Sequence, residues 1–177
     1  MTAPAIWTIG HSTRPADEFV ELLLRYRLEA IADVRRFPGS RLHPQFAEPA
    51  LTATLQEHGV QYRWLPRLGG RRRPIPHSPN VAWRNASFRG YADYIDTPEF
   101  SRGLAELLEM STQLRTAVMC AEAMWWRCHR ALIADVLLVR GFEVVHIHDM
   151  EHTAVHPLTA PARIVDGRLT YVQATLF

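Results

Sequence analysis

The reactive side chains of this chain are concentrated in one stretch, residues 118–130, which contains both cysteines. Cys120 and Cys128 lie eight residues apart, with His129 directly after the second. A thiolate is a nucleophile and a metal ligand, and a helix N-terminus or nearby arginines lower the pKa of a thiol. Cys128 is therefore a zinc ligand, a nucleophile with His129 as its base or a structural residue, and Cys120 is either a zinc ligand or a small buried apolar residue. The spacing matches no common zinc pattern, so we expect neither a metal nor another cofactor.

Two carboxylates are the candidates for proton transfer. Asp33 ends an apolar run, and Glu122 follows Cys120. We interpret them as the candidate acid and base, although two carboxylates beside arginines normally stay ionised. The alternative is that they form salt bridges to Arg35 and Arg130 that only orient the loops.

Three further features have both a binding and a structural interpretation. Trp125 and Trp126 offer flat surface for stacking a base, or belong to the core or a dimer contact. The arginine-rich run at 67–73 either contacts nucleic acid or is a solvated loop. The histidines between 146 and 156 lack a fixed metal-ligand spacing.

Composition limits the class of protein. The chain has 177 residues, 47% hydrophobic and 21% charged, which is typical of one globular domain, and we predict a single domain over 1–177. No apolar run is long enough to span a membrane, and we expect no signal peptide, because no basic region leads into an apolar run near residue 1. Two cysteines favour a reducing cytoplasm. The net charge of +2 and the pI of about 8.8 permit a nucleic-acid partner without requiring one.

Apolar runs alternate with amphipathic stretches along the chain, which indicates right-handed βαβ units. We predict an α/β fold with a mainly parallel five-stranded sheet, helices on both faces and a C-terminal β-hairpin. The five strands are predicted at 6–9, 30–34, 60–65, 115–119 and 142–147. A long loop is predicted at 67–86, and Asp166-Gly167 marks the turn of a hairpin at about 163–173.

The polar clusters share one position, because each directly follows a predicted strand. In a parallel sheet these carboxyl ends lie along one edge, where α/β proteins bind ligands. We therefore expect one shared pocket. The predicted catalytic residues are Asp33, Glu122, Cys128 and His129. The predicted ligand-binding residues are Gly10, His11, Ser12, Arg35, Ser40, Tyr91, Trp125, Arg130 and His146.

The order of these motifs is itself informative. The segments are Gly10-His11-Ser12, Asp33-Val34-Arg35 with Pro38 and Ser40, Tyr62 with residues 65–70, residues 90–94, Cys120-Ala121-Glu122 with Cys128-His129-Arg130, and His146-Ile147. Together they resemble the bacterial and archaeal family called domain of unknown function 488, over about residues 6 to 163. Many relatives carry Asp-Pro where this chain has Met124-Trp125. The resemblance implies an α/β fold with these residues in one pocket, and no particular reaction.

The leading interpretation is an enzyme-like pocket in a cytoplasmic protein. It would act on a nucleotide, a nucleic acid or another phosphate-bearing aromatic ligand, with Arg35 and Arg130 holding the anion. The first alternative is a non-catalytic module that binds nucleic acid or a small ligand. The second is a metal or redox sensor built on the two cysteines. No membrane partner is expected, and a homodimer is compatible with the sequence.

Overall fold

The computed structural model describes residues 4–173 of the chain. The strands are β1 Ala5–Gly10, β2 Ala30–Asp33, β3 Gln61–Trp64, β4 Thr116–Cys120, β5 Glu143–Ile147, β6 Thr153–Val155, β7 Arg163–Val165 and β8 Arg168–Thr170. The α-helices are α1 Ala16–Arg25, α2 Glu48–Glu57, α3 Ala86–Ile95, α4 Pro98–Gln113 and α5 Arg130–Val139. Short 3₁₀ turns lie at Pro44–Phe46, Pro66–Leu68 and Trp125–Arg127.

The main sheet has six strands in the order β3-β2-β4-β1-β5-β6. The first five pair in parallel, and β6 pairs antiparallel with β5 at the edge. Strands β7 and β8 form a separate antiparallel hairpin. The predicted α/β fold with a mainly parallel sheet and a C-terminal hairpin is therefore confirmed. The sixth strand goes beyond the five predicted, since its three residues are too few to show a period in a histidine-rich segment.

Helices cover both faces of the sheet, as predicted. Along β4, Ala117 and Met119 pack into the apolar cluster of α1 and α2, whereas Val118 and Cys120 pack into that of α3, α4 and α5. Successive strand residues point to opposite faces, so this alternation follows from the strand geometry. It turns the Cys120 side chain towards α5. Among the described residues, no helix is long and apolar enough to cross a membrane.

The strand order opens a crevice at the carboxyl edge between β2 and β4. The connection after β2 runs through α2 on one face, and the connection after β4 runs through α5 on the other. Neighbouring strands whose connections leave to opposite faces form the usual ligand crevice of an open α/β sheet. The loops after β2 and β4 are thus the ones positioned to build a site.

Candidate functional site

A cavity of about 300 Å³ lies at this crevice. Its walls come from the loops that follow β2, β3 and β4 and from helix α3. The lining consists of residues 35–37, 70–71, 120–122 and 127–129 together with Ser87, Phe88 and Tyr91. Arg35, Tyr91, Glu122, Cys128 and His129, all predicted site residues, are therefore brought together here.

The geometry around Cys128 is that of a thiol beside its base. The Nδ1 atom of His129 lies 3.4 Å from the Cys128 Sγ, and its Nε2 lies 2.9 Å from the Val34 carbonyl oxygen. A carbonyl only accepts hydrogen bonds, so Nε2 carries the proton and the Nδ1 lone pair faces the thiol. Gly70 packs against this ring, because a Cβ there would lie 2.7 Å from Nδ1. His129 is thus held in the orientation that can accept the thiol proton.

The two thiols are in direct contact, with their Sγ atoms 2.8 Å apart. Burial raises the pKa of Cys128, but the hydrogen bond from the Cys120 thiol, the neighbouring His129 and the charge of Arg130 outweigh it. The pKa of Cys128 therefore lies well below its ordinary value. Burial and the neighbouring Cys128 together raise the pKa of Cys120. Of the two thiols, Cys128 is therefore the one that loses its proton more readily.

Arg130 lies behind the cavity wall rather than in it. Its side chain is 1% exposed, and it donates to the Thr8 hydroxyl at 3.2 Å and to the Glu122 and Ala123 carbonyls. Its Nε has no partner, and no carboxylate among the described residues lies within salt-bridge distance. The predicted alternative of a Glu122–Arg130 salt bridge is therefore wrong, since only the Glu122 carbonyl meets Arg130.

Asp33 and Arg35 form the salt bridge that the structural alternative predicted. The Arg35 Nη2 lies 2.6 Å from the Asp33 Oδ2, and both side chains are buried. Asp33 also accepts the Tyr62 hydroxyl at 2.6 Å, and Arg35 donates to the Phe46 carbonyl at 2.8 Å. Burial lowers the pKa of Arg35, but Asp33 more than compensates and raises it. These contacts engage most of the polar atoms of the pair, so it braces the loop after β2.

The residues after β1 hold the cysteine loop in place. A Cβ on Gly10 would overlap the Glu122 carbonyl oxygen, so this position requires glycine. The backbone N–H groups of His11 and Ser12 donate to the carbonyls of Cys120 and Ala121 at 2.9 and 3.0 Å.

The remaining predicted ligand-binding residues lie outside the cavity lining. Ser40 accepts a hydrogen bond from the His43 N–H at 3.0 Å and closes a turn. Trp125 stacks on His146 with ring centroids 4.4 Å apart. Their contacts are with other protein groups, which agrees with a positioning role.

Several cavity residues were absent from the predicted set. Arg36, Phe37, Arg71 and Arg127 line the cavity, and the Phe37 side chain is 64% exposed. The Arg35-Arg36-Phe37 run in the loop after β2 was the available signal. No group of three or more His, Cys, Asp or Glu is arranged to hold a metal ion within residues 4–173.

Two buried histidines make stability depend on pH. Burial lowers the pKa of His11 to about 4 and that of His146 to about 2, against about 6.5 in an unfolded chain. The unfolded state therefore binds more protons below about pH 6.5, so their contribution is full above that pH and is lost as the pH falls.

We expect the urea midpoint of unfolding to fall from about pH 6.5 to about pH 4.5, before most carboxylates titrate. His11→Gln should flatten this slope, and His58→Gln, at an exposed position, should not. A midpoint that stays constant over this range would contradict the assignment of the acid sensitivity to buried histidines.

A family model described as "Domain of unknown function DUF488" matches residues 15–137, more than half of the chain. The matched segment includes the loops after β2, β3 and β4 that line the cavity, whereas β1 and β5 lie outside it. No curated protein and no solved structure matches the chain.

Proposed function

Because the chain belongs to the family of domain of unknown function DUF488, whose description names no reaction, we propose a function from the site itself. The protein is an enzyme whose Cys128 thiolate attacks a ligand that carries phosphate beside a planar ring. The ligand binds in the cavity between β2 and β4.

One observation carries this proposal: Cys128 and His129, whose Sγ and Nδ1 atoms lie 3.4 Å apart, both line a cavity that arginines also line. Buried structural cysteines pack in apolar surroundings, which raise the pKa of the thiol. Cys128 instead has an imidazole acceptor at 3.4 Å and the backbone N–H of Arg130 at 3.4 Å. Such an activated thiol next to an anion site is typical of nucleophilic catalysis.

The cavity wall supports an anionic, planar ligand. Arg36, Arg71 and Arg127 line it and form no salt bridge with any described residue. They replace Arg35 and Arg130 as the groups that hold the anion. The rings of Phe37 and Phe88 provide apolar surface for a base. A volume of about 300 Å³ is at the small end of ligand pockets and suits one nucleotide.

In the proposed step one proton is transferred, one bond from sulfur to the ligand forms and one bond within the ligand breaks. His129 Nδ1 takes the proton of the Cys128 thiol, and the sulfur forms a bond to the electrophilic atom of the ligand. The bonding pair of the broken bond leaves with the leaving group, which receives the proton from His129. Glu122, whose exposed carboxylate borders the cavity, activates the water that releases the covalent intermediate.

The test is the pH dependence of alkylation of Cys128 by iodoacetamide, located by mass spectrometry. We expect Cys128 to react at about pH 6, whereas an ordinary thiol with a pKa of about 8.5 reacts slowly there. His129→Gln should move the profile towards that of an ordinary thiol, and His58→Gln should leave it unchanged. Nucleoside 5′-monophosphates should protect Cys128 better than inorganic phosphate. The proposal would be refuted if alkylation of Cys128 in the native protein had the pH dependence of an ordinary thiol. It would also be refuted if no nucleotide protected Cys128 from alkylation.

The contact between the two thiols favours a second candidate function, a peroxide-sensitive redox pair. The Cys128 thiolate would attack one oxygen of a peroxide and break the O–O bond, which forms a sulfenic acid. The other oxygen would take a proton from solvent and leave as water or an alcohol. The Cys120 thiol would then attack that sulfur, forming a disulfide and releasing water.

A small excess of hydrogen peroxide is expected to remove both free thiols together, with recovery in dithiothreitol. In the Cys120→Ser variant the oxidation should stop at a sulfenic acid that dimedone labels. The redox function is ruled out when Cys128 over-oxidises in the native protein while Cys120 still reacts with maleimide.

A further inference from the structure

A basic groove continues beyond the mouth of the cavity. We propose that this groove binds a single strand of nucleic acid, with one nucleotide in the cavity and the adjoining phosphates along the groove. This inference rests on the proposed function, because the strand enters the same cavity. A second cavity of about 390 Å³ adjoins the first and shares Arg36 and Arg71 with it. Arg72, Arg73 and Tyr94 line the second cavity.

The arginines of the groove carry charge that the described protein groups do not neutralise. Arg36 and the arginines at 71–73 form no salt bridge with any residue of 4–173. Arg67, from the same basic run, is by contrast paired with Glu106 at 2.5 Å. Asp93 lies in the second cavity but accepts three hydrogen bonds from the loop before α3. Four like charges in one groove repel each other, and phosphates would remove that cost.

The groove also presents aromatic surface beside these charges. The exposed Phe37 ring lines the first cavity, and the guanidinium carbons of Arg36 and Arg71, which line both cavities, lie 5.8 and 5.9 Å from its centroid. The Arg72 guanidinium carbon lies 3.7 Å from the Tyr94 ring centroid, which fixes that side chain along the groove. Aromatic rings among arginines are the arrangement with which proteins hold unpaired bases and their backbone.

The dimensions distinguish a strand from smaller or double-stranded ligands. The first cavity has room for about one nucleotide, and Arg72 and Arg73 lie outside its lining. A nucleoside monophosphate would leave those two arginines without a phosphate. A base within a duplex reaches a recessed pocket only if it is flipped out of the stack. A single strand supplies both an accessible base and successive phosphates.

Fluorescence anisotropy with labelled single strands of about 12 nucleotides, both DNA and RNA, tests the inference. At about 0.1 M salt we expect Arg73→Ala to weaken strand binding about fivefold, because one phosphate contact contributes a log–log salt slope of about −0.7. The salt slope should become shallower by the same amount. The affinity of Arg73→Ala for nucleoside monophosphates, measured by their competition with the labelled strand, should equal that of the native protein. Arg168→Ala, an exposed arginine on β8, is the matched control and should bind like the native protein.

Three results would contradict strand binding in the groove. The first is a single strand that binds no tighter than a nucleoside triphosphate, and the second is a duplex that binds as tightly as its single strand. The third is equal strand affinity of the Arg73→Ala and Arg168→Ala variants. Protection of Cys128 by monophosphates in any of these cases would leave the proposed function standing. Strand binding that depends on Arg73 while Cys128 stays unprotected would support the groove and refute the thiol chemistry.

Discussion

Leu137→Ala is expected to lower the free energy of unfolding by about 2–5 kcal/mol, whereas Glu122→Gln should change it little. Leu137 is fully buried on α5 and packs in the apolar cluster between that helix and the sheet. Removing its branched side chain leaves a cavity that rigid neighbouring strands only partly fill. Urea unfolding at neutral pH measures both variants.

Glu122→Gln should act on binding and turnover instead. The Glu122 carboxylate is exposed at the cavity and makes no hydrogen bond or salt bridge within the described residues, so its charge is free to act on a ligand or a water. The amide has nearly the same shape and leaves the carbonyl contact with Arg130 intact. We expect altered protection of Cys128 by nucleoside monophosphates with a native unfolding midpoint. If Glu122→Gln had an unfolding midpoint as low as that of Leu137→Ala and the protection of Cys128 were unchanged, the role of Glu122 would be structural.

The edge of the sheet on which the polar residues meet was predictable from the sequence. Strand and helix periods require a parallel sheet, and a parallel sheet places all its carboxyl ends together. Asp33 ends β2 and Glu122 follows β4, and these strands are neighbours in the sheet, so the two residues share that edge. Thr97 likewise caps α4 before Pro98, as the residue order predicts.

The lateral order of the strands was not predictable, and it decides which of these residues line the cavity. Strand β1 lies between β4 and β5, away from the crevice. Gly10 and His146 therefore support the site from behind, although their strands end at the same edge.

Which of the arginines face the cavity could not be predicted either. Arg35 and Arg130 directly follow the strongest motifs, and these two are the buried ones. Arg36 and Arg127, each one to three residues away, face the cavity. A sequence shows charge and spacing, but the direction of each side chain depends on loop conformations that long-range contacts determine.

A buried polar chain behind the cavity was also beyond sequence reasoning, because it joins residues far apart in the sequence. Asp135 accepts hydrogen bonds from His156 Nε2 at 2.9 Å and from the Tyr171 hydroxyl at 2.8 Å. His156 Nδ1 lies 2.9 Å from His146 Nε2, and His146 Nδ1 lies 2.6 Å from the Thr8 hydroxyl. A carboxylate only accepts hydrogen bonds, so the His156 Nε2 carries a proton and donates it to Asp135.

This chain ends at Arg130, which donates to the Thr8 oxygen. The positive charge of Arg130 and the negative charge of Asp135 therefore terminate one continuous set of hydrogen bonds through buried groups. Cooperative polarisation makes such a network stable when it is complete and costly when it is broken. Because Arg130 also holds the Glu122 carbonyl and helps to lower the pKa of Cys128, the network connects the core to the reactive thiol.

Asp135→Ala is accordingly expected to cost about 3–5 kcal/mol of unfolding free energy, since it leaves buried donors without their acceptor. The matched control is Asp149→Ala, because Asp149 also bonds a histidine, His152 at 2.8 Å, but at the exposed surface. Removing the Asp149 carboxylate should change the free energy of unfolding little. In Asp135→Ala molecules that remain folded, a less rigidly held Arg130 should shift alkylation of Cys128 to higher pH. Equal unfolding midpoints for the two variants would show that the network adds no stability. An unchanged alkylation profile in Asp135→Ala would show that the network does not affect the reactivity of Cys128.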